Sequence, residues 1–339
     1  MSGVVLSAAE VKAAGRAVGF TLVGLARAEA LDPKPLNDWL AAGYAADMDW
    51  MRRRVAERLD PTVVLTGAKT VIALAIAYHR PAAETHGGVA RYARGRDYHY
   101  AHRDRMKALR KRLLALDATL ETYAAVDTGV AMEKPWAERA GLGWIGKNGC
   151  LINPRLGSWL TLSVMFVDRA VDAYDPPHER RCGDCTLCLG ACPTDAFAAP
   201  GVVDARRCIA YQSIENQGPV PPALRTGFSG RVFGCDVCQE VCPWNHRPLP
   251  EGDARFSPRP LSALSPAEVA ALPAAELERL AAGMALARVR HDGLRRNALY
   301  AIGTARDAGA RPTVARLVND PAPVVSDAAR WALGRLDSE

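Results

Sequence analysis

Lysine is scarce in this chain: only seven of its 43 basic residues are lysines, and the rest are arginines. Long apolar runs are missing as well. Val71-Ile72-Ala73-Leu74-Ala75-Ile76-Ala77 is among the longest, and it is less than half of the ~20 residues that a membrane-spanning helix needs. No membrane partner is expected. The opening Met1-Ser2-Gly3-Val4-Val5-Leu6 has neither the charged start nor the apolar stretch of an export signal. The expected compartment is therefore the reducing cytoplasm, where cysteines act as ligands or stay free instead of forming disulfides.

Stability then has to come from a core. The 339 residues, 49% hydrophobic and 24% charged, are enough for one, in two or three domains. Such proportions exclude a disordered or collagen-like chain. The net charge of +6 is carried mainly by arginine, the better bidentate phosphate ligand, and permits a nucleic-acid partner. It does not require one, because codon usage in a GC-rich genome also enriches arginine.

What the chain has in abundance is cysteine in one place: eight of nine cysteines lie between Cys182 and Cys242. The run Cys182-Gly183-Asp184-Cys185-Thr186-Leu187-Cys188-Leu189-Gly190-Ala191-Cys192-Pro193 has the CxxCxxCxxxCP spacing of two-cluster ferredoxins. Cys235-Asp236-Val237-Cys238-Gln239-Glu240-Val241-Cys242-Pro243 repeats its second half, and Cys208 supplies the missing thiolate. In this pattern the cysteine before each proline serves the partner cluster. The spacing thus predicts Cys182, Cys185, Cys188 and Cys242 on one 4Fe-4S cluster and Cys192, Cys208, Cys235 and Cys238 on the other. Paired four-cysteine zinc sites are the alternative, although they do not call for the three-residue gap before Cys-Pro. Cys150 stands alone before Leu151-Ile152 and reads as a small buried hydrophobe, not a nucleophile.

Residues 1–175 combine helical patterns at 8–18 and 103–116 with short β-rich runs at 19–26, 70–78, 121–126 and 159–167, which predict a buried sheet in an α/β (α+β) catalytic domain. Residues 176–250 form the ferredoxin-like domain, with an ordered Pro- and Gly-rich loop at 217–230. Pro248, Pro250, Pro258 and Pro260 mark the boundary to an all-α domain, 251–339. There residues 296–303 align with 327–334 at a period of 31, with alanine and an aromatic recurring on one face, which predicts HEAT-like helical hairpins. Arg288, Arg290, His291, Arg295 and Arg296 gather where the repeat starts and predict an RNA-facing module. A plain helical cap over the cysteine domain is the alternative.

Gly141-Leu142-Gly143-Trp144-Ile145-Gly146-Lys147-Asn148 fits GxxxxGK but lacks the following Ser or Thr, and a helix at 131–140 precedes it where a P-loop needs a strand. Nucleotide hydrolysis is not expected; a glycine-rich loop with a lysine suits a cofactor wall. Asp127 follows an apolar run at the carboxyl end of a strand. It reads either as a general acid whose pKa burial raises toward neutrality or as a cap for the helix near Ala131. Residues 91–112 interleave positive charge with Tyr92, Tyr98 and Tyr100, a mixture that suits contact with phosphate and bases, or a solvated helix face after a loop.

In order along the chain come Asp127-Thr128-Gly129, Glu133-Lys134, Gly143-Trp144-Ile145-Gly146-Lys147-Asn148 and Arg155-Leu156-Gly157-Ser158, then the two-cluster cysteines and the repeat-bearing tail. This order resembles the epoxyqueuosine reductases over essentially the full chain. The resemblance implies a cytoplasmic, cobalamin-dependent iron–sulfur oxidoreductase, related in its core to reductive dehalogenases. It would remove the epoxide oxygen of epoxyqueuosine at the tRNA wobble position, the last step of queuosine formation. Electrons would enter from an external donor, ferredoxin- or flavodoxin-like or chemical, and pass through the clusters to give cob(I)alamin, a nucleophile toward the epoxide. Asp127 would be the proton donor that quenches the oxygen charge as the strained ring opens, before loss of water leaves a cyclopentene.

The resemblance places cobalamin near Arg58, Tyr98, His99, Asp127, Lys147, Asn148 and Ser158, with Ser213 and Gln239 from the cluster side. A monomer is expected. Asp97-Tyr98-His99-Tyr100-Ala101-His102 lacks the glycine of the DxHxxG pattern found where histidine ligates cobalt, so no histidine ligand is expected. Two other functions use the same residues. One is a cobalamin reductase acting on a small molecule such as an organohalide, which would ordinarily carry a twin-arginine signal. The other is an electron carrier docking a partner through its helical tail, for which the large N-terminal domain is superfluous.

Overall fold

The computed structural model describes residues 5–80, 88–246 and 250–338. Met1 to Val4 of the opening segment and Pro248 of the boundary lie outside the described residues. Strands β1 (Leu22–Arg27), β2 (Thr70–Ala77), β3 (Thr122–Ala125) and, after a separate hairpin of β4 (Trp144–Ile145) and β5 (Leu151–Ile152), β6 (Leu160–Val167) account for the N-terminal strands. The main sheet runs in the order β1-β2-β6-β3, and each neighbouring pair is antiparallel.

β2 is apolar and buried along nearly its whole length because helices cover both faces of the sheet. The two faces differ in side-chain size. Ile72, Leu74 and Ile76 pack with Val11, Leu109 and Leu113 of the Ala8–Ala17 and Tyr98–Leu116 helices. Val71, Ala73 and Ala75 sit on the opposite face with Trp136 of the Glu133–Arg139 helix, where alanines leave room for the indole. Truncating a residue such as Leu74 to alanine would cost about 2–5 kcal/mol, the range for a buried leucine.

The helix expected from 103 begins five residues earlier, at Tyr98. Asp97 caps it by accepting the His99 N–H at 2.9 Å, one of the orphan donors of a helix start. Its first turn is polar, so apolar periodicity could not mark it, and that turn carries Tyr98 and His99. Further along, buried His102 lies 2.7 Å from Ser163 Oγ and 2.9 Å from Thr161 Oγ1, tying the helix to β6.

The cysteine region contains β7 (Phe197–Ala199) and β8 (Val202–Val203) and the one-turn helices Leu187–Gly190 and Val237–Glu240. The C-terminal region is helical. One hydrophobic core runs through both: Ile209, Val220, Phe228 and Phe233 pack with Leu294, Leu299, Tyr300 and Val325. The boundary near residue 251 therefore does not separate two cores. The segments related by 31 residues lie on the helices Arg290–Ala305 and Pro323–Asp337, which approach closely enough that a Cβ at Gly303 would meet Trp331 at 2.6 Å.

Candidate active site

Asp127 lies two residues beyond β3 with φ at +51°, a left-handed backbone that non-glycine residues seldom adopt without support. Glu133 supplies the support, its Oε1 accepting the Asp127 N–H at 2.7 Å. The capping role considered for Asp127 is not what the structure shows: the Glu133–Arg139 helix begins after Met132 without a side-chain cap. The Asp127 side chain is 54% exposed, and its Oδ2 lies 3.3 Å from His99 Nε2. The Tyr98 hydroxyl faces the same carboxylate. Behind the imidazole, His99 Nδ1 is 2.7 Å from Asp97 Oδ1, and the Tyr98 and His99 rings stack at 4.3 Å.

Burial pulls the His99 imidazole toward its neutral form, but the carboxylates of Asp127 and Asp97 outweigh it and raise its pKa to about 9. Burial pushes the Asp127 carboxyl up; hydrogen bonds from His99 and Tyr98, together with the Arg288 charge, outweigh that and hold it below the usual carboxylate range. This corrects the expectation that burial would bring Asp127 toward neutrality. At pH 7 the proton of the pair sits on the imidazole, because an opposite charge in contact beats partial desolvation. Glu133, desolvated beside the Asp127 charge, is raised to about 7.

The thiols fall into two groups. Cys182, Cys185, Cys188 and Cys242 line one hollow of about 50 Å³ together with Lys147, Asn148 and Trp244. Burial raises the Cys242 thiol, and Cys182, Cys188 and Cys185 add to it, so the cysteine preceding Pro243 has crossed to the first motif. Cys208 is raised by burial with Cys192 adding. Cys235 is pushed up to about 11 by burial with Cys208 adding. Cys238 faces Cys150, Cys235 and Cys208. Cys150 thus lies against the second thiol group, outside both sets of four. The β4–β5 hairpin braces both groups: Lys147 Nζ donates to Gly183 O at 2.7 Å and Asn148 Nδ2 to Cys238 O at 3.2 Å. Trp144 meets Trp244 edge-on at 4.9 Å.

A cavity of about 890 Å³ opens beside the first thiol group. Apolar side chains including Leu36, Leu59, Met132 and Val202 line it, with Lys147 and Arg139 among the polar ones. Asp127 is not in its lining, which includes Met132 and Pro135. Of the residues expected around cobalamin, Tyr98, His99 and Asp127 come together, and Lys147 lines the cavity. Arg58 donates to Trp50 O at 2.7 Å and leaves its buried Nε unpartnered. Ser158 Oγ donates to Gln239 Oε1 at 2.9 Å and accepts from Asn245 at 2.8 Å. The fully buried Ser213 accepts the Gly234 N–H at 2.9 Å. The Ser158, Gln239 and Ser213 hydrogen bonds brace the cluster side.

The arginines read as an RNA face divide sharply. Arg296 is only 1% exposed and donates to the carbonyls of Gln212, Asn216 and Gly218 at 2.9, 2.7 and 2.6 Å, so it is a strut to the ferredoxin part and not an RNA contact. Arg295 is likewise engaged, with Leu272 O at 2.6 Å and Asp320 at 3.6 Å. His291 pairs with Glu278 and Asp292. Arg288 grips Glu215 through two bonds of 2.9 and 2.7 Å, near enough to Asp127 to stabilise its charge. Arg290 is exposed.

Sequence reasoning passed over Asp97, Glu133 as an anchor, and Trp50. Trp50 is 42% exposed, with the Arg288 guanidinium 5.8 Å from its ring centre. An aromatic separated only by Met51 from Arg52-Arg53-Arg54 was a signal that could have flagged it.

The family described as 4Fe-4S double cluster binding domain matches residues 181–245, and so two 4Fe-4S clusters belong to this region. The family described as "Epoxyqueuosine reductase QueG, DUF1730" matches residues 58–128. The epoxyqueuosine reductase of Gloeobacter violaceus is 45% identical over 314 residues, 89% of this chain and 98% of the relative. That of Pseudomonas aeruginosa is 37% identical over 343 residues, 97% of this chain and 94% of the relative. A crystal structure of epoxyqueuosine reductase with a tRNA-Tyr epoxyqueuosine-modified stem loop superposes with a TM-score of 0.91 at 29% identity, covering 97% of this chain and 90% of that one. The Bacillus subtilis enzyme, with its catalytic aspartate loop swung out of the active site, gives 0.91 at 28% identity over the same shares. Sequence relatives and solved structures agree, and the chain belongs to the epoxyqueuosine reductase family.

Proposed function

We propose that this chain reduces epoxyqueuosine to queuosine at the wobble position of tRNA, in the cytoplasm, with electrons from an external donor. The observation that carries the reading is the meeting of a proton source and an electron source in one chain. The loop from Gly146 to Cys150 lies against both thiol groups, and Lys134, one residue after the anchor of Asp127, donates to Gly149 O of that loop at 2.9 Å. Cys182, Cys185, Cys188 and Cys242 hold one cluster; Cys192, Cys208, Cys235 and Cys238 hold the other. The helical tail, HEAT-like in its repeat, offers Arg290 to RNA, and Arg288 with Trp50 offers a charged and stacking edge near Asp127.

Cobalamin is inferred from the family and from the donors present: the buried, unpartnered Arg58 Nε is a donor waiting for an acceptor, whereas the cavity of about 890 Å³ is lined by Lys147 alone of the residues expected around that group. Arg58, Tyr98, His99, Asp127, Lys147, Asn148, Ser158, Ser213 and Gln239 are the residues that would hold it. When bound, cobalamin supplies a strongly reducing, nucleophilic cobalt centre. Asp127 delivers the proton to the epoxide oxygen as negative charge develops there, and Glu133 fixes its backbone. The test is mass spectrometry of tRNA nucleosides from a strain lacking the gene. Epoxyqueuosine should accumulate and disappear on complementation with the wild-type chain; unchanged queuosine in the deletion strain would overturn the reading.

A further inference from the structure

Converting an epoxide to an alkene breaks both C–O bonds, takes up two electrons and two protons, and releases one water. The reductant supplies the electrons, and the protons, drawn in the end from water, need a group of the chain to deliver them. We propose that His99, held in place by Asp97, is the proton store for this reaction, its Nε2–H recharging Asp127, the group that hands protons to the departing oxygen. The proposal rests on the function inferred above and assigns His99 the store and Asp97 a positioning role.

The geometry constrains the imidazole from both sides. Nδ1 lies 2.7 Å from Asp97 Oδ1, a hydrogen bond, and Nε2, buried and without a hydrogen-bond partner, lies within ion-pair distance of Asp127 Oδ2 at 3.3 Å, so that a small rotation aligns the two. A neutral imidazole has one N–H and would set its other nitrogen, a lone pair, against a carboxylate oxygen; only the imidazolium satisfies both contacts. The groups facing this pair are Asp97, Tyr98 and Arg103 on the same helix, Glu133 behind Asp127, and Tyr92 and Arg288 from other elements. The two nearest charges are both carboxylates, which is why the ring keeps its proton to a pKa of about 9.

Of the three members of the relay only Asp127 is open, at 54% against 19% for His99 and 21% for Asp97. The route to the substrate therefore runs through it. As the first C–O bond breaks, the Asp127 carboxylate takes the proton from Nε2 and passes it to the oxygen, leaving neutral His99 beside an ionised Asp127. Water at the exposed carboxylate restores the imidazolium, and the same relay delivers the second proton as the second C–O bond breaks and the oxygen leaves as water.

Asp97→Asn separates this role from a structural one, since asparagine caps a helix as well as aspartate and removes only the charge. In the full-length protein without tRNA, ¹⁵N NMR of the ring should find wild-type His99 as imidazolium at pH 7.5. Losing one adjacent carboxylate should lower its titration by about one unit or more. In the holoenzyme, the alkaline limb of the single-turnover rate on epoxyqueuosine tRNA should move by the same amount, slowing the variant about threefold or more at pH 8.5 and less at pH 6.5. His99→Gln, which keeps a hydrogen-bonding amide near Asp127, should be slower throughout and lose that limb. A neutral His99 at pH 7.5, or identical limbs in wild type and Asp97→Asn, overturns the proposal, as does wild-type behaviour of His99→Gln. Failure of the underlying function reads differently, as wild-type turnover in Asp127→Asn, and the NMR titration still judges the pair.

Discussion

The cysteine region and the Asp127 region are placed by different means. In the first, seven of the eight clustered thiols sit in two short motifs, Cys182 to Cys192 and Cys235 to Cys242, where one-turn helices set the spacing. In the second, Asp97, Tyr98 and His99 come from a helix start, Asp127 from a left-handed turn after β3, and Glu133 from the start of another helix. One region is assembled by local spacing and the other by tertiary packing. Damage to one should therefore leave the other standing. Cys208→Ala is the severest test: it removes one thiolate of the second group, and turnover should vanish with about half of the iron and sulfide, since a 4Fe-4S cluster takes four cysteines. Full iron content in that variant would break the assignment of Cys208.

Asp127→Asn probes the other side. Loss of a positioned general acid costs about 10²- to 10⁴-fold, so the rate constant for reduction should fall by that much while iron, sulfide and reducibility of the clusters stay at wild-type values. A parallel loss of clusters would show that the two regions are not independent. The Glu133 contact adds detail: because Glu133 holds the Asp127 N–H and not its carboxyl, the amide can occupy the same turn without strain beyond the wild type's.

That division also explains what could be read in advance. The crossed grouping of Cys242 with Cys182, Cys185 and Cys188 was legible because the spacing within each motif, steps of three residues and then of four, marks the cysteine before proline as the one that crosses. The four strands of the main sheet were legible as short β-rich apolar runs, unbroken from Val71 to Ala77 in β2 and interrupted by Thr161 and Ser163 in β6. The start of the long helix was not, because its first turn is polar and the signal was a single capping aspartate. The charge state of Asp127 was missed for a related reason: its sign depends on His99, 28 positions earlier in the chain, and sequence alone does not bring those groups to 3.3 Å. Arginine at a helix start looks the same whether it meets RNA or carbonyl oxygens, and Arg296 was misread accordingly.

Arg296→Ala carries the comparison into the third region. Its guanidinium satisfies three carbonyls of the ferredoxin part from a fully buried position, while burial, as the dominant cause, lowers its pKa to about 10. Removing a buried, hydrogen-bonded charge that many groups depend on costs about 3–5 kcal/mol, so urea unfolding should shift strongly. The salt dependence of tRNA binding, measured on folded protein, should not change. A variant that unfolds like the wild type but binds tRNA less tightly would return Arg296 to the RNA face.

The smallest effect is the one that locates that face. Arg290 begins the Arg290–Ala305 helix and is exposed, whereas Arg295, five residues on, is held by Leu272 O and Asp320. Each phosphate contact by an exposed arginine releases condensed counterions, so Arg290→Ala should reduce the slope of log affinity against log salt by about one and weaken binding uniformly across tRNA sequences. Arg295→Ala should leave the slope alone and lower stability. Equal slopes for wild type and Arg290→Ala would move the phosphate contact away from the helix start, toward the edge formed by Arg288 and Trp50, because those groups combine exposure with closeness to Asp127.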